Sequence, residues 1–130
     1  MEKQNALILD LQMYRSQVHI LYGYDKEEFF KYTEDNFPGV IFPRNSFSGA
    51  SAYCFENEEE GLRGYLIDFR EKLNKNHAES HAAIAHEVYH VVSEIFNDLG
   101  IPLGYDNQEA FAYCQGHLIR KIEQEILGLK

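Results

Sequence analysis

Short alternating runs of apolar and polar residues fill the first half of the chain and predict β-strands. The clearest run extends from Leu62 to Arg70. Its aromatic and branched residues at 65, 67 and 69 alternate strictly with their neighbours, as expected of a strand with two different faces. Three further strands are predicted at 6–11, 17–22 and 50–55. The acidic segment Glu58-Glu59-Glu60 is expected to be a solvated turn between the last two strands.

Helical periodicity dominates the second half, after one short helix that follows the second predicted strand. Asp25 is a suitable N-cap for that first helix, which is expected over 26–36. A second helix is expected from 76 or 77 to 99, because Gly100 can adopt the left-handed conformation that ends helices. A third helix is expected from about 107 to 127. This order of elements predicts an α+β fold with the sheet packed against the two C-terminal helices.

Length and composition limit the possible classes of function. A chain of 130 residues suits one domain, 1–130, with a substantial core. The formal net charge of −9 argues against nucleic acid or an anionic membrane as a partner, because either would repel the protein. No apolar run approaches the roughly 20 residues that a membrane span needs. The two cysteines, Cys54 and Cys114, are expected to be free thiols, which predicts a cytoplasmic location in a bacterium or a phage-infected host cell.

The segment His86-Glu87-Val88-Tyr89-His90 carries the strongest chemical signal in the chain. Two histidines four residues apart fall on one face of a helix, where their imidazoles can reach the same metal ion. The glutamate next to the first histidine can act on a water molecule held by that metal. The pattern therefore predicts a Zn²⁺ site with His86 and His90 as ligands and Glu87 as the catalytic base.

A catalytic zinc ion usually has three protein ligands and one open position. Glu109 is the expected third ligand, because the turn after Gly100 can return the third helix antiparallel to the second. Glu94 is a rival, either as a ligand or as a carboxylate that orients an imidazole, although three ligands in a row along one helix rarely converge on one ion. The alternative without a metal is a pair of partly exposed helix histidines, with Glu109 placed favourably at the positive end of its helix dipole.

The motif His-Glu-x-x-His, followed after eighteen residues by Glu109 in the setting Asn-x-Glu-x-Phe-Ala, resembles the gluzincin branch of the zincin metallopeptidases. The close match covers only about residues 82–113, while the whole layout is similar to small zincin-like proteins of phages and bacterial mobile elements. The resemblance implies a zincin-like fold and a peptidase that hydrolyses a cytosolic polypeptide through Glu87 and a zinc-bound water. It also implies an edge strand that pairs with an extended peptide substrate, and Leu62 to Arg70 is the expected edge strand.

Gluzincins commonly use a tyrosine or histidine from elsewhere in the chain to stabilise the oxyanion. Tyr113 and His117 are the candidates here, because they follow Glu109 by four and eight residues on the same helix. The lack of a clear oxyanion donor favours a competing hypothesis, a catalytically inactive zincin-fold binding or regulatory module with a structural or vestigial metal. The presence of Glu87 favours the enzyme, since zinc binding alone does not require it.

Other histidines and cysteines have simpler interpretations. His77 and His81 form a second pair four residues apart, but they fall on the opposite side of the helix, where a solvent-exposed pair is expected. His19 has no visible partner in its strand. Cys114 is expected to be a small buried hydrophobic residue.

Overall fold

Three α-helices and four β-strands make up the described part of the protein, which a computed structural model defines for residues 5–42, 49–57 and 62–130. The strands are β1 (Asn5–Leu11), β2 (Ser16–Tyr22), β3 (Ala50–Asn57) and β4 (Leu62–Phe69). The helices are α1 (Lys26–Asn36), α2 (Ala78–Asp98) and α3 (Gln108–Ile126). Each predicted element is present within a few residues of its expected bounds, and the α+β class is confirmed. The expected acidic turn at 58–60 lies outside the described residues.

The four strands form one mixed sheet in the order β1-β2-β4-β3. The outer pairs are antiparallel, whereas the central strands β2 and β4 run parallel with Ile20 opposite Ile67. The assignment of Leu62 to Arg70 as the edge strand was therefore wrong, because β4 has a partner on both sides and β1 and β3 form the two edges. Consecutive residues of β4 explain this placement, since Leu66, Ile67 and Asp68 are all buried. A strand that buries both of its faces belongs inside a sheet.

Helices cover both faces of this sheet. On one face, α2 and α3 pack through apolar stripes against the inward residues of β2 and β4. The core of that face includes Val18, Ile20, Ile67, Val88 and Val91. On the other face, α1 contributes to a second cluster around Phe29 and Phe42. The sheet therefore separates two surfaces, and the motif-bearing helix α2 lies on one of them.

The helix ends follow from local sequence signals. The Asp25 carboxylate accepts a hydrogen bond from the Glu28 N–H at 2.8 Å, and the Glu28 carboxylate accepts one from the Asp25 N–H at 3.2 Å. Gly100 follows α2 with a φ of +72°, a left-handed conformation that favours glycine. Asn107 precedes α3 without a side-chain capping bond, and its side-chain amide donates to the Pro102 carbonyl at 2.9 Å.

The two cysteines are free thiols, as expected, with Cys54 exposed on β3 and Cys114 buried on α3. Cys114 belongs to the apolar core, which confirms its interpretation as a small hydrophobic residue. Among the helices that the structure describes, none is both long and apolar enough to cross a membrane.

Candidate functional site

The two motif histidines converge on the exposed side of α2. His86 and His90 are about one helical turn apart, and their Nε2 atoms lie 3.1 Å from each other, which is hydrogen-bond distance between the two rings. Two nitrogen ligands of a tetrahedral zinc ion, each about 2.0–2.1 Å from the metal, would be about 3.3 Å apart. The pair therefore fits two positions of a zinc site with little adjustment. Both residues are exposed, so an ion can approach them from solvent.

Glu87 is the buried member of the motif. The residue is 7% exposed, and its Oε1 lies 4.0 Å from His86 Nε2. One step along the helix rotates it by about 100° from His86, away from solvent and toward the sheet. A carboxylate is thus held beside the two imidazoles on the inner side of the helix.

A groove of about 650 Å³ lies between α2 and the edge strand β3. Four consecutive residues of β3, 51–54, form one wall, and a face of α2 that includes Glu87, His90 and Glu94 forms the other. Within the described part of the chain β3 pairs with β4 alone, so the main-chain groups on its outer side can pair with another extended segment. The groove combines a histidine, a buried carboxylate and the edge of a sheet.

Glu109 is not brought to the histidine pair. α3 packs on α2 through an apolar stripe that includes Phe111, whose ring centroid lies 5.6 Å from that of Tyr89. Glu109 is roughly 160° around the helix from Phe111, and it is exposed. No group of three His, Cys, Asp or Glu residues that could hold a metal occurs in the ranges that the structure describes. Two of the three expected ligands therefore lie together, and in the described ranges Glu109 does not join them in a three-residue group.

Of the two suggested oxyanion donors on α3, Tyr113 is exposed and His117 is half-buried. Tyr113 is 76% exposed, and His117 Nδ1 lies 3.5 Å from the Nη2 of Arg120. Neither residue lines the groove. The side of α3 that faces α2 is its apolar stripe, and Tyr113 and His117 are not part of that stripe. The geometry therefore gives no support to a catalytic role for Tyr113 or His117.

Glu94 lines the groove one turn beyond His90. Its charge also acts on Cys54 in the opposite wall: partial burial, followed by the negative charges of Glu94 and Asp98, raises the pKa of Cys54 to about 12. A thiol with that pKa is uncharged near neutral pH, so Cys54 is not a ready nucleophile or thiolate ligand. Of the two carboxylates considered as third ligand, Glu94 is the one that lines the groove.

Ser93 is a groove residue that the sequence analysis missed. Its Oγ is buried and has no hydrogen-bond partner among the residues that the structure describes. The signal that could have revealed it is its position three residues after His90, which places both on one side of α2.

His77 and His81 do not form the exposed pair that was expected. His81 Nδ1 lies 2.6 Å from Glu123 Oε1, and its Nε2 lies 2.7 Å from the carbonyl oxygen of Lys75. His77 precedes α2 as its N-cap residue and makes no side-chain capping bond. His81 therefore connects α2 to α3 through its side chain, and its bond with His77 runs between backbone groups, from the His81 N–H to the His77 carbonyl at 3.5 Å.

No protein-family model matches the chain, and no curated protein or solved structure shows significant similarity to it. The resemblance to gluzincins accordingly stays a prediction from the motif, and the functional inference depends on the site geometry.

Proposed function

We propose that the protein is a zinc-dependent peptidase that hydrolyses peptide bonds in a cytosolic polypeptide. The observation that carries this proposal is the 3.1 Å approach of the His86 and His90 Nε2 atoms beside the buried Glu87. The adjacent groove supports it, because a hydrolase needs a cleft that holds its substrate against the reacting groups.

The residues of the motif would divide the chemistry among them. When bound, zinc supplies a Lewis acid that lowers the pKa of water and polarises a carbonyl group. His86 and His90 would hold the ion through Nε2. Glu87 would accept a proton from the attacking water on a carboxylate oxygen and return it to the nitrogen of the leaving amine. Burial of Glu87 in the groove wall suits this role, because it restricts the motion of a carboxylate that lines the groove.

The third ligand has two candidates. Glu109 has the spacing of the gluzincin motif, but it lies on the exposed side of α3. Glu94 lines the groove, but it would place three ligands in succession along one helix. Substitution of each carboxylate distinguishes them, because loss of a true ligand weakens zinc binding.

An extended segment of polypeptide is the proposed substrate. The outer side of β3 can supply main-chain hydrogen bonds to such a segment, while the groove receives alternate side chains. The substrate would therefore lie along β3, and not along Leu62 to Arg70 as the sequence suggested.

A second function is a catalytically inactive zincin-fold module that binds or regulates a partner. One observation favours it: Glu109 is exposed, and no three-ligand group is assembled in the described ranges. In that case the groove would hold a peptide without cleaving it, and a metal at the histidine pair would be structural or vestigial.

Comparison of the wild type with Glu87→Gln separates the two functions. Each protein is loaded with zinc and incubated with a diverse peptide library, and cleavage products are measured by mass spectrometry. Glu79→Gln is the matched control, because Glu79 is an exposed carboxylate in the first turn of the same helix. The peptidase predicts cleavage by the wild type and the control, and loss of cleavage with zinc retained in Glu87→Gln. Binding without cleavage in all three proteins would support the inactive module.

A further inference from the structure

A second cavity, of about 390 Å³, lies on the α1 side of the sheet and shares no residue with the groove beside α2. Much of its wall is apolar and belongs to, or adjoins, the aromatic cluster of that face. The apolar lining residues are Ile8, Phe37, Pro38, Val40 and Phe55. The polar lining residues are Gln17, His19, Asn36 and Arg63. A concave site of this size that combines apolar walls with a few polar groups is typical of those that hold small molecules.

His19 is a deeply buried polar side chain in this wall. The residue is 7% exposed, and its Nδ1 lies 2.7 Å from Tyr32 Oη. The sequence showed no partner for His19, because Tyr32 is on α1 and only the fold brings it to β2. Burial raises the pKa of Tyr32 to about 12, so the phenol keeps its proton and donates it to Nδ1. Burial likewise lowers the pKa of His19, which favours a neutral ring. When the Tyr32 hydroxyl donates to Nδ1, the single ring proton is on Nε2.

In that tautomer, the Nε2–H group of His19 is a hydrogen-bond donor. The parts of the chain that the structure describes provide no acceptor for it, although His19 lines the cavity. Phe37 packs edge-on against the imidazole, with ring centroids 4.7 Å apart, and holds its orientation. Nε2 is not one of the fully buried, unpartnered side-chain atoms of the described residues, so a ligand in the cavity can reach it and supply an acceptor.

The remaining walls limit the shape and charge of that ligand. The Phe55 ring closes over Gly64, where a Cβ atom would lie 2.2 Å from the ring. Arg63 is the cationic residue among the described lining residues, but its guanidinium is engaged by Asp98 at 2.6 Å and by Glu56 at 3.9 Å. The charge of an anionic ligand would therefore not be balanced by Arg63. A flat uncharged molecule would pack against the aromatic rings.

We propose that this cavity binds a small, uncharged, planar molecule whose carbonyl oxygen or ring nitrogen accepts a hydrogen bond from His19 Nε2. The site is separate from the histidine pair of α2, and its existence does not depend on the peptidase proposal.

Nicotinamide is a suitable probe, because it is planar and uncharged and carries both kinds of acceptor. Titration of isotopically labelled wild-type protein, followed by NMR of the histidine ring nitrogens and of the aromatic ring carbons, should give a saturable shift at His19 Nε2 and at the rings of Phe37 and Phe55. The signals of His86 and His90 should not move. Aniline, which is planar but lacks these acceptors, should bind about tenfold more weakly, as expected for the loss of one hydrogen bond.

Two variants complete the test. His19→Phe keeps a planar ring but removes the donor, and it should weaken nicotinamide binding about tenfold. His117→Phe makes the same change at the histidine on α3 and should bind as the wild type does. Equal affinity of the wild type for aniline and nicotinamide, or the absence of a saturable shift at His19, would overturn the proposal. The comparison of nicotinamide with aniline on the wild type tests the proposed hydrogen bond even if His19→Phe does not fold.

Discussion

The imidazole of His81 and the carboxylate of Glu123 lie 2.6 Å apart and join the first turn of α2 to the last turns of α3. The other ring nitrogen of His81 faces the carbonyl oxygen of Lys75 at 2.7 Å. Both partners are acceptors, so the doubly protonated imidazolium satisfies both contacts. The Lys75 carbonyl and then the Glu123 side chain accordingly raise the pKa of His81 above its ordinary value of 6.5.

This contact predicts a component of stability that depends on pH. Because the pKa of His81 is higher in the folded protein, its contribution is complete below pH 6.5 and is lost as the pH rises through the raised value. His81→Gln should remove that component, as measured by urea unfolding at several pH values. His77→Gln, the control on the neighbouring exposed histidine, should keep it. An unchanged pH dependence in His81→Gln would contradict the assignment.

The contact between Gly64 and Phe55 predicts a steric effect on folding. A Cβ at position 64 would lie 2.2 Å from the Phe55 ring, so Gly64→Ala should destabilise the protein by about 1–3 kcal/mol. The added Phe55→Leu substitution removes the ring and should restore part of the loss. Urea unfolding of the single and double variants measures this, and simple additivity of the two effects would contradict the close contact.

The sequence predicted local structure well because local signals determine it. The capping residue Asp25 and the left-handed Gly100 are examples, since each acts through its own backbone and its near neighbours. Strand order was not predicted, because it depends on contacts between distant segments. A signal was nevertheless present: the continuous run Tyr65-Leu66-Ile67 is typical of a strand buried on both faces, and the strict alternation within β4 concealed it.

In the candidate site too, local geometry was predicted from the sequence, whereas the contacts between distant segments were not. The positions of His86 and His90 follow from helical geometry alone, and their nitrogens do converge. Glu109 was chosen by its spacing in the chain, which does not report on which side of α3 it lies. The apolar positions of α3, beginning with Phe111 and Cys114, define the buried side of that helix. Glu109 falls opposite to them, and a helical projection of α3 from the sequence would have shown it.

The charge of Glu94 predicts the reactivity of Cys54. Glu94 is one of the charges that raise the pKa of this thiol, so Glu94→Gln should lower the pKa and increase the thiolate fraction. The rate of alkylation of Cys54 by iodoacetamide at mildly alkaline pH should rise by about two- to fivefold, which corresponds to a pKa change of about half a unit. Peptide mapping separates Cys54 from the buried Cys114. A rate equal to that of Glu79→Gln would contradict the effect.

The two candidates for third ligand predict opposite results. If Glu94 is the ligand, Glu94→Gln should weaken zinc binding by about tenfold or more, and Glu109→Gln should leave it unchanged. If Glu109 is the ligand, Glu109→Gln should weaken zinc binding and Glu94→Gln should leave it unchanged. Zinc binding must then also change the exposure of the first turn of α3. Competition with a chromophoric chelator measures both affinities. Wild-type affinity in both variants would exclude each carboxylate from the site.

Zinc stoichiometry at equilibrium tests the central claim most directly. Dialysis of the wild type, His86→Gln, His90→Gln and His77→Gln against buffered zinc, followed by metal analysis, compares the motif pair with a neighbouring histidine of the same type. The account predicts one zinc ion per chain in the wild type and in His77→Gln, and loss of that ion in both motif variants. A wild-type protein that binds no zinc, or motif variants that bind as much as the wild type, would contradict it.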